Sequence, residues 1–138
     1  MTDLLDTTVW SLAKRDASIA LQLEDAIEGQ RVATCNPVRL ELLYSTRDID
    51  EFRMVREGLD ALQHCPVDER VWERALDVYE QLAAQGGAHQ RQVSHPDLLI
   101  AAAAEVAGIP VLHYDEDYDR IAAVTGQPMR WVRPRGSL

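Results

Sequence analysis

Apolar positions along the chain fall into short runs alternating with longer stretches of helical spacing. Leu4-Leu5 reads as a short buried strand that ends at Asp6, with Thr7 or Thr8 placed to cap the helix that follows. Over residues 16–28, Ile19, Leu23, Ala26 and Ile27 recur at helical spacing, and Gly29 closes that helix. Residues 31–35 predict a second strand, and Asn36-Pro37 starts a third helix, with a capping residue and proline at the first helical position. Val38, Leu40, Leu42, Leu43 and Tyr44 make this helix apolar nearly all round, which predicts burial, and Glu41 projects between Val38 and Tyr44. Residues 48–62 form a charged amphipathic helix on Phe52, Val55, Leu59 and Leu62, and a short strand is expected near Cys65-Pro66-Val67. A long helix over 68–84 carries Val71, Trp72, Ala75, Leu76, Tyr79 and Leu82. The polar, glycine-containing stretch 85–93 is a loop. A helix over 94–107 ends at Gly108, followed by a strand over 110–113, a helix to about Val124 and a last strand over 129–132.

Strands alternating with helices predict an α/β fold whose mostly parallel sheet is covered on both faces, in one domain spanning residues 1–138. In such sheets ligands bind beyond the carboxyl ends of the strands, where Asp6 and Asp115 both fall. A chain of this size buries enough surface to fold without disulfides. Cys35 and Cys65 lack metal-ligand spacing and read as reduced thiols buried as small hydrophobes. No apolar run reaches the roughly 20 residues of a membrane span, and Met1-Thr2-Asp3-Leu4 does not open a signal peptide, so a cytoplasmic location is expected.

The net charge of −9 argues against a general nucleic-acid binder, which would show a basic footprint. Two bound Mg²⁺ would bring it to about −5. Lys14 is the only lysine; Arg130, Arg133 and Arg135 cluster near the C-terminus, and Arg47, Arg53 and Arg56 lie around one predicted helix.

Four acidic stretches set carboxylates against apolar neighbours, where an ionised group is costly unless compensated: around Asp6, Glu41, Asp97 and Asp115. A divalent cation is the simplest shared compensation, because hard metals take oxygen ligands. Structural roles compete. Asp6 can cap a helix, and Ser94-His95-Pro96-Asp97 fits a capping box. Asp115, Asp117 and Asp119 open like a calcium loop, but Arg120 stands at the required glycine and Gly126 at the closing acid, so that reading fails. His64, His89, His95 and His113 show no metal-ligand spacing, and Trp10, Trp72 and Trp131 read as core or interface residues.

Taken in order, Leu-Leu-Asp6-Thr-Thr-Val-Trp, Glu41 in its apolar helix, Asp97-Leu-Leu-Ile-Ala-Ala-Ala-Ala and Leu-His-Tyr-Asp115-Glu-Asp117-Tyr-Asp-Arg-Ile-Ala resemble the PIN-domain ribonucleases. Within these the chain most resembles the VapC toxins of bacterial type II toxin–antitoxin systems. His113 departs from the threonine or serine often found two residues before the acid, and Tyr118 from a usual phenylalanine. The resemblance implies an α/β/α sandwich with the acidic stretches meeting in one cleft. It implies Asp6, Glu41, Asp97 and Asp115 as catalytic residues, and Asp6, Asp97, Asp115 and Asp117 as ligands of Mg²⁺ or Mn²⁺. It further implies an endoribonuclease acting on tRNA or rRNA, a VapB-type antitoxin that covers the cleft and mediates any DNA contact, and a homodimer. Thr7, His89 and Arg91 are expected to meet substrate, the last two from the polar loop.

Other acid-clustered enzymes fit less well. A receiver domain needs a lysine after a late strand, and a haloacid-dehalogenase-type phosphatase needs a second acid in Asp6-Thr7-Thr8. A PIN-fold interaction module without catalysis, or a PIN nuclease outside a toxin–antitoxin pair, stays open on sequence alone.

Overall fold

A computed structural model describes all 138 residues. Five strands, β1 (Asp3–Leu5), β2 (Val32–Thr34), β3 (Gln63–His64), β4 (Val111–His113) and β5 (Met129–Trp131), form one sheet in the order β3-β2-β1-β4-β5, and every pairing is parallel. The connections are helical: α1 (Thr7–Ala13), α2 (Ala17–Glu28), α3 (Asn36–Tyr44), α4 (Ile49–Asp60), α5 (Glu69–Ala84), α6 (His95–Ala107) and α7 (Asp117–Thr125).

Adjacent residues of one strand point to opposite faces, and the core divides accordingly. Leu4 joins Ala33 and Val111 in a cluster with Val38, Val71, Leu82, Ile100 and Ile121 of α3, α5, α6 and α7. Leu5 joins Val32 and Leu112 in a second cluster with Val9, Ile19 and Leu23 of α1 and α2. The sheet is therefore the middle of three layers, the expected α/β/α sandwich.

Three expectations are corrected in detail. The third strand lies at Gln63–His64, not at 65–67. Cys65 still donates its N–H to Thr34 O at 2.8 Å, and the ladder stops at Pro66, which has no N–H to give. The helix buried on nearly all sides is α6, not α3. In α3 only Val38 is buried, while Leu40 and Tyr44 are 71% and 91% exposed. In α6, Leu98 and Ile100 through Ala104 are all buried, the alanines allowing close approach to α5 and α7. Trp72, read as a core or interface residue, is 49% exposed, which removes the core alternative alone.

Gly108 ends α6 in the left-handed conformation (φ 74°), as a glycine after a helix does. At the end of α2 the left-handed residue is Gln30 (φ 55°), one position beyond Gly29. Cys35 and Cys65 are free and buried, and burial pushes the Cys35 thiol up to about 12, so both act as apolar groups. No helix is long and apolar enough to cross a membrane.

Candidate active site

β1 pairs with β2 on one side and β4 on the other, so the chain's winding reverses there and a crevice opens beyond the carboxyl ends of β1 and β4. Asp6 directly follows β1, Asp115 lies two residues beyond β4, and α6 and α7 begin beside them with Asp97 and Asp117 in their first turns. The cleft measures about 650 Å³ and is lined by these four acids with Glu41, Thr7, Thr8 and Arg15.

Asp97, Asp115 and Asp117 converge: each offers a carboxylate oxygen, and these oxygens lie within 4.8 Å of one another. Asp6 is not part of that trio. It is almost fully buried, and both of its oxygens already accept hydrogen bonds. Oδ2 takes the N–H and the hydroxyl of Thr8 at 3.1 and 2.6 Å, so Asp6 itself caps α1, the role expected of Thr7 or Thr8. Oδ1 takes the hydroxyl of Tyr118 at 2.6 Å. That hydroxyl is also 3.2 Å from Oδ1 of Asp97. Thr8 Oγ1 in turn accepts the N–H of Tyr114 at 3.0 Å, which ties the turn after β4 to the start of α1. Asp115 accepts the N–H of Asp117 at 2.9 Å and donates its own N–H to Nδ1 of His113 at 3.2 Å.

Glu41 stands at the rim of the cleft on an exposed stretch of α3. Its carboxyl is raised above the usual range by partial burial and then by the charge of Asp6, while the neighbouring Thr7 side chain pulls the other way. Asp97 is pushed up to about 7, first by burial and then by the charge of Asp6, with Asp115 adding to it. Asp117 is raised by burial and by Asp115, and its partner Arg120 opposes the shift. Asp6, Glu41, Asp97 and Asp115 take part in none of the ion pairs of the molecule.

This donor set fits a hard divalent cation. Oxygens bound to one ion at about 2.0–2.6 Å lie no more than about 5 Å apart, which the trio satisfies. Burial first, and then the charge of neighbouring carboxylates, raise Asp97 and Asp117, a cost that a bound cation would offset.

Of the expected substrate contacts, Thr7 lines the cleft, with its Oγ1 buried beside the Glu41 carboxyl. His89 and Arg91 do not reach it. They lie in a single 3₁₀ turn over His89–Gln92, where His89 Nδ1 meets Gln85 Oε1 at 3.0 Å. The loop is thus partly ordered, and it packs against α5. Sequence reasoning missed Arg15, the one basic side chain lining the cleft, exposed and outside every ion pair. Its spacing, four residues after Ser11 and eight after Thr7, carried that signal, although α1 ends at Ala13 and Arg15 lies in the turn beyond it. The arginines singled out near the C-terminus are engaged elsewhere: Arg130 with Asp3, Arg133 with Ser18 and Gln22, and Arg135 with Glu116.

Residues 4–124 match the PIN domain family. The chain is 42% identical over its full 138 residues, and over all of the relative, to Ribonuclease VapC18 of Mycobacterium tuberculosis H37Rv. Among solved structures it is similar to VapBC2 from Rickettsia felis bound to a DNA fragment from their promoter, with a TM-score of 0.75 at 18% identity, covering 96% of this chain and 100% of that one. It is also similar to VapBC-5 from Mycobacterium tuberculosis, with a TM-score of 0.59 at 27% identity, covering 96% and 98%. The chain belongs to the PIN-domain family, in its VapC ribonuclease branch.

Proposed function

We propose that this VapC-type endoribonuclease is the toxin of a type II toxin–antitoxin pair, and that it hydrolyses phosphodiester bonds of structured RNA, tRNA or rRNA, with Mg²⁺ or Mn²⁺. The convergence of Asp97, Asp115 and Asp117 at the switch point of the sheet is the observation that carries the reading. These three would hold the cation, with Asp6 fixing their surroundings from behind. A divalent cation bound there offsets phosphate charge and lowers the pKa of a coordinated water. Glu41, at the rim with its carboxyl raised, is placed to accept a proton from the attacking water. The exposed guanidinium of Arg15 offers donors to the RNA phosphates, and Thr7 lines the same cleft.

The whole chain acts as one domain, in the cytoplasm and as a homodimer. A VapB-type antitoxin covers the cleft with a basic side chain among the acids and makes the only contact with DNA. Support comes from the similar VapBC assemblies, one of them bound to promoter DNA, and from the net charge of −9, which a basic inhibitory segment complements.

The test is RNA cleavage by the purified chain with and without added divalent cation. Cleavage is expected to need the cation, to leave 5′-phosphates, and to be lost in Asp97→Asn and Asp115→Asn. Cation-dependent cleavage that persists in both variants would overturn the reading. Mapping the cuts on total RNA separates tRNA from rRNA.

A further inference from the structure

Tyr118 is the second residue of α7 and has no exposed surface. Its ring packs on His113, centroids 4.9 Å apart, so the hydroxyl is aimed by the core and not by solvent. That hydroxyl is shared between Asp6, at the end of β1, and Asp97, in the first turn of α6. One phenol thus joins three elements that meet only in the folded chain. A phenol has a single proton to donate, and the 2.6 Å contact directs it to Asp6. With Thr8 on Oδ2, Asp6 is then held at both oxygens and cannot rotate. Asp97 Oδ1, 3.2 Å from the same hydroxyl, takes the longer arm of that one shared donation, which ties a carboxylate of the trio to the phenol.

We propose that the Tyr118 hydroxyl is a positioning residue for the cation site: it locks Asp6 and sets the orientation of Asp97 toward the cation. Being buried, it touches neither substrate nor solvent. Phenylalanine at this place would keep the ring and lose only the hydroxyl. The expected effect is therefore on how tightly the cation is held, not on whether the reaction occurs. The inference rests on the reading of the trio as a cation site.

Mn²⁺ binding to the RNA-free chain, followed by the paramagnetic resonance of free Mn²⁺, tests it against Tyr118→Phe. Affinity is expected to fall about tenfold, the usual scale for losing a group that orients a ligand. The cleavage rate at saturating Mn²⁺ is expected to change by less than about threefold, so that the loss appears in half-saturation and not in turnover. Equal affinity within about twofold would overturn the proposal. A wild-type chain that binds no Mn²⁺ would overturn the cation site itself, a different result. Should Tyr118→Phe not fold, the wild-type chain labelled at tyrosine Cζ reports the same contact. Addition of Mg²⁺ is expected to shift the Tyr118 resonance, assigned by changing the other three tyrosines, and an unmoved resonance at saturation would overturn the proposal.

Discussion

The backbone N–H of Asp115 donates to the ring nitrogen Nδ1 of His113 at 3.2 Å. The imidazole therefore does what a threonine or serine hydroxyl would do two residues before the acid: it offers an acceptor that orients the turn. Its proton must then sit on Nε2, which is buried without a partner, while Tyr118 and Trp131 flank the ring. Acceptor and ring volume can be separated. His113→Thr retains an acceptor but empties ring volume, and is expected to lose roughly 2–3 kcal/mol of stability while still binding Mn²⁺. His113→Leu fills the space but lacks the acceptor, and is expected to fold with about tenfold weaker Mn²⁺ binding. Urea unfolding and Mn²⁺ titration distinguish the two; unchanged binding in His113→Leu would remove the orienting role.

Asp97 makes one pH-dependent contribution, beside those of Glu41 and Asp117. Burial, Asp6 and Asp115 raise its carboxyl from the usual 3.8 to about 7. The folded chain thus holds this proton more tightly than the unfolded chain does. The stability it contributes is complete below about pH 3.8 and lost as pH rises through about 7. Between those limits the metal-free Tm of the wild type should decline relative to that of Asp97→Asn. A cation competes with the same proton, so the gain in Tm from Mn²⁺ should be larger at about pH 8 than at about pH 5.5. A gain independent of pH would contradict this assignment.

Arg15 is the cation of the cleft with no partner of its own. Arg15→Ala is expected to raise the Kd for RNA about tenfold and to lower the salt dependence of binding by about one phosphate contact. Mn²⁺ affinity should not change. Gel-shift titrations with the Asp97→Asn protein, at several salt concentrations, measure both slopes without cleavage.

The exchange of roles between α3 and α6 is also measurable. Leu40 projects into solvent, so Leu40→Ser should alter stability by no more than about 0.5 kcal/mol. Ala103 is enclosed, and Ala103→Leu should cost about 1–3 kcal/mol or more from overpacking. Denaturant midpoints settle the order.

Local signals account for what the sequence made legible. Asp6 and Asp115 could be placed because a strand giving way to a helix puts the next polar residue at the sheet's carboxyl edge. Gly108 could be placed because a helix end in the left-handed region favours glycine. The failures are of another kind. Helical periodicity reports that Leu40, Leu42 and Tyr44 are apolar, but not which of them finds a neighbour, and α3 docks through Val38 alone among its fully buried residues. His89 and Arg91 looked available because their loop is polar, whereas local turn bonds draw it back against α5. Tyr118 looked like a conservative replacement for phenylalanine. Its hydroxyl acquires meaning only from Asp6, 112 positions away in the chain, a distance no local pattern spans.

That separation has a consequence for synthesis. Asp6 leaves the ribosome more than a hundred residues before Asp115, Asp117 and Tyr118. β1 gains β4 as a neighbour only after more than a hundred further residues have been added. A nascent chain therefore carries its first carboxylate for most of its elongation without the partners that hold it. An enzyme able to cut RNA is assembled only after β4 and α7 have joined the strand that was made long before them.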